Sequence, residues 1–177
     1  PSEDRILREG DIISLDCGTI FKGFVGDSAI TVGVGAISAE AQRLLEVTEQ
    51  ALYEGIAAAL AGNTTRDIAR AVQRFVERNG YSVVREYAGH GVGRAMHEDL
   101  HVPNWWPAGR RSRYFRSETL RPGHTLAIEP MISAGRAPVR TLDDHWTAVT
   151  QDGSLCAHFE HTVAIVPEGP PLILTAL

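Results

Sequence analysis

The chain has 177 residues, of which 17 are basic and 22 acidic, giving a formal net charge of −5. A chain of this order buries roughly 70% of its unfolded surface around one core, so a self-supporting domain needs no staples. With 44% hydrophobic and 22% charged residues it is neither disordered nor fibrous, and its mild acidity offers no general field for phosphate, which removes DNA from the expected partners.

The first elements are two strand-like runs, Ile12 to Cys17 and Phe24 to Val32, with Lys22-Gly23 between them as a turn signal, so an antiparallel hairpin is expected. Ser38 then begins a helix signature, able to cap the first turn while Glu40 faces the positive end of the dipole. This helix is expected to reach about Ala61, where Gly62-Asn63 stops it. Thr65 starts a second helix with Ile68, Val72, Phe75 and Val76 along one face and Gly80 at its end. From there β signals dominate, at Tyr81 to Val84, His124 to Glu129, Ala148 to Thr150 and Phe159 to Val166. Two amphipathic helices framed by antiparallel strands make an α+β domain. No linker, repeat or low-complexity tract divides it, so 1–177 reads as one domain.

Cys17 and Cys156 are too few for a disulfide framework, and Pro1-Ser2-Glu3-Asp4-Arg5 has no apolar stretch of a signal peptide. The longest apolar-leaning stretch, Ile56 to Gly62, falls far short of the roughly 18 residues that cross a membrane. A reducing, cytoplasmic setting is expected.

Four acids interrupt the apolar runs. Asp16 lies inside the first strand, Asp27 inside its partner, Glu129 ends the run Leu126-Ala127-Ile128, and Glu160 sits between Phe159 and His161. Taken singly, each fits an edge-strand acid facing water; four in one domain do not. An ionised carboxylate buried alone costs several kcal/mol, so each needs an arginine, hydrogen bonds or a metal. Asp16 and Asp27 flank the turn at a spacing that lets both carboxylates share one face, where they repel unless a cation lies between them. His90, in Tyr87-Ala88-Gly89-His90-Gly91-Val92-Gly93, has glycines on both sides that permit an inward imidazole. Together these are hard oxygen and nitrogen donors, in a number suited to two divalent first-row ions rather than one structural zinc; Mn, Fe, Co and Zn all fit. Such a pair activates water and polarises a carbonyl, and amide hydrolysis is its natural use.

His97-Glu98-Asp99-Leu100-His101 matches the H-E-x-x-H zinc-protease pattern, which needs a helix to bring both histidines onto one face. Glycines before it and Pro103, Pro107 and Gly109 after it leave no room for that helix, so His97 reads as a substrate-facing histidine instead.

The set Asp16, Asp27, His90, Glu129, Glu160 resembles that of the pita-bread metallopeptidases. Tyr87 to Gly93, His97, Val102-Pro103-Asn104-Trp105, Ile128-Glu129-Pro130-Met131, Trp146 to Thr150 and Phe159-Glu160-His161-Thr162 are similar, in order, to motifs of type I methionine aminopeptidases. The resemblance implies a pita-bread fold, an antiparallel sheet with flanking helices, and a cytoplasmic enzyme removing initiator methionine from nascent polypeptide N-termini. It implies that Asp16 chelates one ion, that Asp27 and Glu160 bridge both, and that His90 and Glu129 hold the other. Glu129 would also act as general base, and His97 would hydrogen-bond the scissile carbonyl. Met96 and Trp146 would line the pocket for the methionine side chain. A peptidase of the same fold acting beside proline, and a non-catalytic binding module, are the alternatives.

Three features depart from the family pattern. Its members carry a further stretch before the position of Pro1, with two helices and a second substrate-side histidine, so the chain is expected to be an N-terminally truncated catalytic domain. The stretch Trp105 to Arg116, longer than usual, holds four arginines and four aromatics. It reads either as a solvated loop with arginine stems packed on rings or, through the Arg-rich loop 109–116, as a contact with ribosomal RNA or an acidic partner. His158 stands where relatives commonly have Gln.

Overall fold

A computed structural model describes Glu3 and residues 5–176; Pro1, Ser2 and Asp4, from the opening stretch read above for a signal peptide, and Leu177 lie outside the described residues. Strands β1 (Ile12–Phe21) and β2 (Phe24–Gly33) form the expected hairpin. Lys22 and Gly23 take φ of 50° and 82°, the pair of left-handed residues that matches a two-residue turn to the twist of its strands. β1 continues past Cys17 to the turn, because pairing with β2 carries Gly18-Thr19 along.

Helix α1 (Ala39–Ala58) is capped as expected, the Ser38 hydroxyl accepting the Ala41 N–H at 3.1 Å. It ends at Ala58 rather than near Ala61, since the Asn63 side-chain amide donates to the Ala58 carbonyl at 2.9 Å and terminates the helix. Helix α2 (Thr65–Arg78) starts on a ring in which Asp67 accepts both the N–H and the hydroxyl of Thr64, at 2.9 and 2.7 Å. The hydroxyl bond first, with the N–H bond beside it, holds the Asp67 carboxyl below its ordinary range.

The remaining strands are β3 (Ser82–Val83), β4 (Gly89–Gly91), β5 (Glu98–Val102), β6 (Thr125–Ile128), β7 (Met131–Ser133), β8 (Val139–Thr141), β9 (Ala148–Thr150), β10 (Cys156–His158), β11 (Glu160–Ala164) and β12 (Leu172–Ile173). The main sheet runs β1-β2-β11-β6-β4-β5 with β12 on β11, a second runs β10-β7-β3, and β8 pairs β9. Every pairing is antiparallel. β11 begins at Glu160 and ends at Ala164, shorter than the run Phe159 to Val166.

The core lies between the helices and one face of the main sheet. Leu44, Leu52 and Ile56 of α1 and Ile68, Val72 and Val76 of α2 pack with Leu126, Ile128 and Val163. Side chains alternate along a strand, so this packing commits Ala127 and Thr162 to the opposite face. On the helix-facing side of the hairpin Leu15, Ile30, Phe21 and Phe24 remain exposed. No helix among the described residues is long and apolar enough to cross a membrane.

Candidate functional site

The register of the sheet assembles the site from residues that are scattered along the chain. Asp16 pairs with Ala29, and Ala29 with Glu160, so these three form one row across β1, β2 and β11. His161 pairs with Ile128, and the next step along the same ladder sets Glu160 against Glu129. The neighbouring row on that face contains Gly18 opposite Asp27, Thr162 opposite Ala127, and Ala127 opposite His90. Both rows lie on the face turned away from the helices. Small residues, Gly18, Ala29 and Ala127, separate the ligand-type side chains and leave them room to converge.

Convergence is close. Donor atoms of Asp27, His90 and Glu160 all lie within 4.8 Å of one another. His90 Nε2 is 3.8 Å from Asp27 Oδ2 and 3.5 Å from Glu129 Oε1. Asp27 and Glu160 are 6% and 2% exposed, whereas Asp16 sits at the solvent-exposed margin. Glycines flank His90 because the sheet demands it: a Cβ on Gly89 would collide with the Ala127 carbonyl oxygen, and one on Gly91 with that of Asp99.

The electrostatics follow from this crowding. Burial, then the charges of Asp16 and Asp27, push Glu129 up to about 8. Burial, then Glu129, Asp27 and Asp16, push Glu160 up to about 9. Asp27 is raised by burial and by Asp16, with His90 and His97 pulling it partly back. Among the described residues the only cationic-type groups within ion-pair distance of these acids are imidazoles, and Glu160 Oε1 is fully buried without a hydrogen-bond partner. A cluster of carboxylates short of both cations and donors fits divalent metal on its own chemistry.

His97 and Met96 sit on the loop between β4 and β5. The Glu98 carboxylate accepts the N–H groups of Arg94 and Ala95, at 2.6 and 3.0 Å, and closes that loop. His97 thereby comes to 4.3 Å, ring to ring, from His90, and Met96 reaches over Gly18, where a Cβ would collide with its methyl. Glu98–Val102 is a strand, so His97 and His101 are not a helical i, i+4 pair and the zinc-protease pattern has no structural counterpart here. Trp146, expected beside Met96, is not gathered with these residues. Asp144 accepts the N–H groups of Trp146 and Thr147 and ties the β8–β9 turn into a projection on which the indole is 89% exposed.

Sequence reasoning missed the residues that hold the ligands in place. The Thr162 hydroxyl accepts the Asp27 N–H at 2.9 Å and donates to the Asp27 carbonyl at 2.8 Å. Asn104, 1% exposed, donates to the Glu129 carbonyl at 3.1 Å. The one available signal for Thr162 was its place two residues beyond Glu160, on the same face of a strand.

A buried carboxylate–imidazole cluster on one face of an antiparallel sheet, backed by two helices, has the donor chemistry of a divalent-metal centre. The chain matches the model of metallopeptidase family M24 over residues 1–167 and belongs to that family. It is 49% identical over 173 residues to the methionine aminopeptidase of Clostridium acetobutylicum, covering 98% of this chain and 67% of that protein. It is 50% identical over 165 residues to methionine aminopeptidase 1 of Bacillus subtilis, covering 93% and 64%. The solved methionine aminopeptidase of Thermotoga maritima superposes with a TM-score of 0.91 at 42% identity, over 99% of this chain and 68% of that one. Within the family, the chain therefore groups with the methionine aminopeptidases and has their pita-bread fold. It spans about two thirds of the length of these relatives.

Proposed function

We propose that this chain is the catalytic part of an aminopeptidase that hydrolyses methionine from the N-termini of polypeptides. The observation that supports this most is the convergence of Asp27, His90, Glu129 and Glu160 on one buried patch, with no arginine or lysine among the described residues to neutralise it. Asp16, Asp27, His90, Glu129 and Glu160 would hold two divalent ions, from among Mn, Fe, Co and Zn, with Asp27 and Glu160 at the centre of the cluster. When bound, these ions supply Lewis acidity toward a peptide carbonyl and lower the pKa of water.

The remaining work falls to side chains. His97, exposed beside the cluster, donates a hydrogen bond to the carbonyl oxygen as negative charge grows there. Glu129 accepts a proton at a carboxylate oxygen and returns it to the departing amine. Met96, and Trp146 from the projecting turn, are read as contacts for the methionine side chain. The domain 1–177 is read as completed by chain outside this sequence, an assignment supported by the exposed Leu15, Ile30, Phe21 and Phe24 and by the greater length of the relatives. Titrating Mn(II) into metal-free protein while following Met-Gly-X hydrolysis tests the activity. Metal-dependent release of methionine is expected; tight metal binding without cleavage indicates a binding module, and release from X-Pro substrates instead indicates a proline-directed peptidase.

The Arg-rich loop 109–116 is read as a contact with ribosomal RNA. Gly109–Tyr114 forms a short 3-10 helix against an aromatic group: Trp105 and Trp106 both meet Phe115 edge-on, and the Trp106 backbone N–H donates to Gln73 of α2 at 2.8 Å. Arg110, Arg111, Arg113 and Arg116 are left facing solvent. Arg66 lies over the Trp106 ring and Arg85 over the Trp105 ring, so with the loop arginines six of the 17 basic residues gather here on an acidic protein. Reversing Arg110, Arg111 and Arg113 to Glu is expected to weaken ribosome co-sedimentation and to lower its salt dependence by about one unit of slope for each phosphate no longer neutralised. Unchanged co-sedimentation removes this reading.

A further inference from the structure

Glu129 is held between two imidazoles, one at each oxygen. His90 Nε2 faces Oε1 at 3.5 Å, and His158 Nε2 faces Oε2 at 3.7 Å. His158 is outside the group formed by Asp27, His90 and Glu160, yet its side chain is only 13% exposed and its Nε2 is fully enclosed with no hydrogen-bond partner. This buried ring nitrogen lies about 0.5 Å beyond hydrogen-bond reach of the carboxylate oxygen and has no other hydrogen-bond partner.

The backbone beneath the ring is fixed. The Thr31 hydroxyl donates to the His158 carbonyl and accepts the His158 N–H, both at 2.8 Å. Its one proton being spent on that carbonyl, the Ser14 hydroxyl, 2.8 Å away, is the donor in their contact. β1 and β2 thus clamp β10 at this residue. Glu129 is anchored from the other side by Asn104 at its carbonyl.

We propose that His158 is a positioning residue for Glu129: its Nε2–H donates to Oε2, leaving Oε1 alone to face His90 and the cluster. The proposal rests on the metal-centre reading above and gives the Glu129 carboxylate a fixed orientation toward the cluster. Hydrogen bonds to ligating carboxylates of this kind affect metal affinity by roughly 10–100-fold.

Two measurements test it. In metal-free protein at about pH 9.5, where the Glu129 carboxylate holds no proton of its own to donate, long-range ¹H–¹⁵N spectra of labelled histidine are expected to show His158 as the Nε2–H tautomer; the Nδ1–H tautomer overturns the proposal. By calorimetry with Mn(II), His158→Leu is expected to bind at least tenfold more weakly than the parent chain, and His158→Gln within about threefold of it. Parent-like affinity in His158→Leu, or equal losses in both variants, overturns it. If His158→Leu does not fold, the Gln variant and the tautomer decide. A parent chain that binds no Mn(II) fails the functional reading instead, and the tautomer still decides this one.

Discussion

The Glu160→Ala variant is expected to lose at least one of two divalent ions and to hydrolyse Met-Gly-X on the order of 10³-fold more slowly, or worse. Glu160 occupies the middle of its row across the sheet, between Ala29 on β2 and the Glu129 position after β6, and is 2% exposed. So enclosed a position leaves no path for a solvent-facing side chain to replace it. Lewis acidity at a reacting carbonyl contributes several kcal/mol, and about 4 kcal/mol corresponds to the stated factor. Thr162, two residues on, continues to hold the Asp27 backbone in the variant, so the strand itself is expected to stay in place. Elemental analysis of the purified variant is the direct measurement, with Glu160→Gln as the control that preserves volume. Full metal content in both variants removes the dinuclear assignment.

The second large effect concerns stability and pH in the metal-free protein. Glu160 and Glu129 are pushed up to about 9 and about 8, well above the ordinary carboxyl range of an unfolded chain. The native state therefore binds more protons than the unfolded state between roughly pH 4.5 and pH 9, and stability falls as pH rises across that window. Each such group contributes a slope of up to about 1.4 kcal/mol per pH unit, shared between them where they titrate together. Metal-free protein is thus expected to be most stable below about pH 5 on this account and to weaken steadily toward pH 9. Divalent ions bind the deprotonated form, so their stabilisation is expected to grow over the same range. Thermal melts of metal-free and Mn(II)-loaded protein from about pH 5 to pH 9 measure both trends. Glu160→Gln is expected to flatten the metal-free profile, and a metal-free profile that rises with pH contradicts the burial argument.

The acids were legible in the sequence because they violate its pattern. Asp16, Asp27 and Glu160 stand inside strands that apolar residues otherwise define, and burial makes such positions unfavourable without a counter-charge. The hairpin was legible for a similarly local reason, since Lys22-Gly23 selects a turn that only residues tolerant of positive φ can make. Caps at Ser38 and beside Asp67 are likewise contained within four residues of chain. By contrast β4, β7, β10 and β12 are two or three residues long and carry no pattern of their own. They are strands because a neighbour across the sheet pairs with them, and pairing is a property of the fold.

Roles at the site divide along the same line. Motif resemblance assigned Met96, His97 and Trp146 together, but the structure places only the first two at the cluster, through a loop that Glu98 closes. Trp146 lies on a separate hairpin whose position depends on Asp144 and on what packs against that turn. His158 was visible only as an unusual residue near Glu160; its relation to Glu129 depends on where β10 sits against β1 and β2.

By itself, then, the sequence determined the donor chemistry, the hairpin and both helices, because burial penalties, turn geometry and capping act within a few residues of chain. Which carboxylate meets which imidazole was decided only by tertiary structure. The antiparallel register aligns residues more than a hundred positions apart, and a shift of one residue in any strand turns its ligand to the other face.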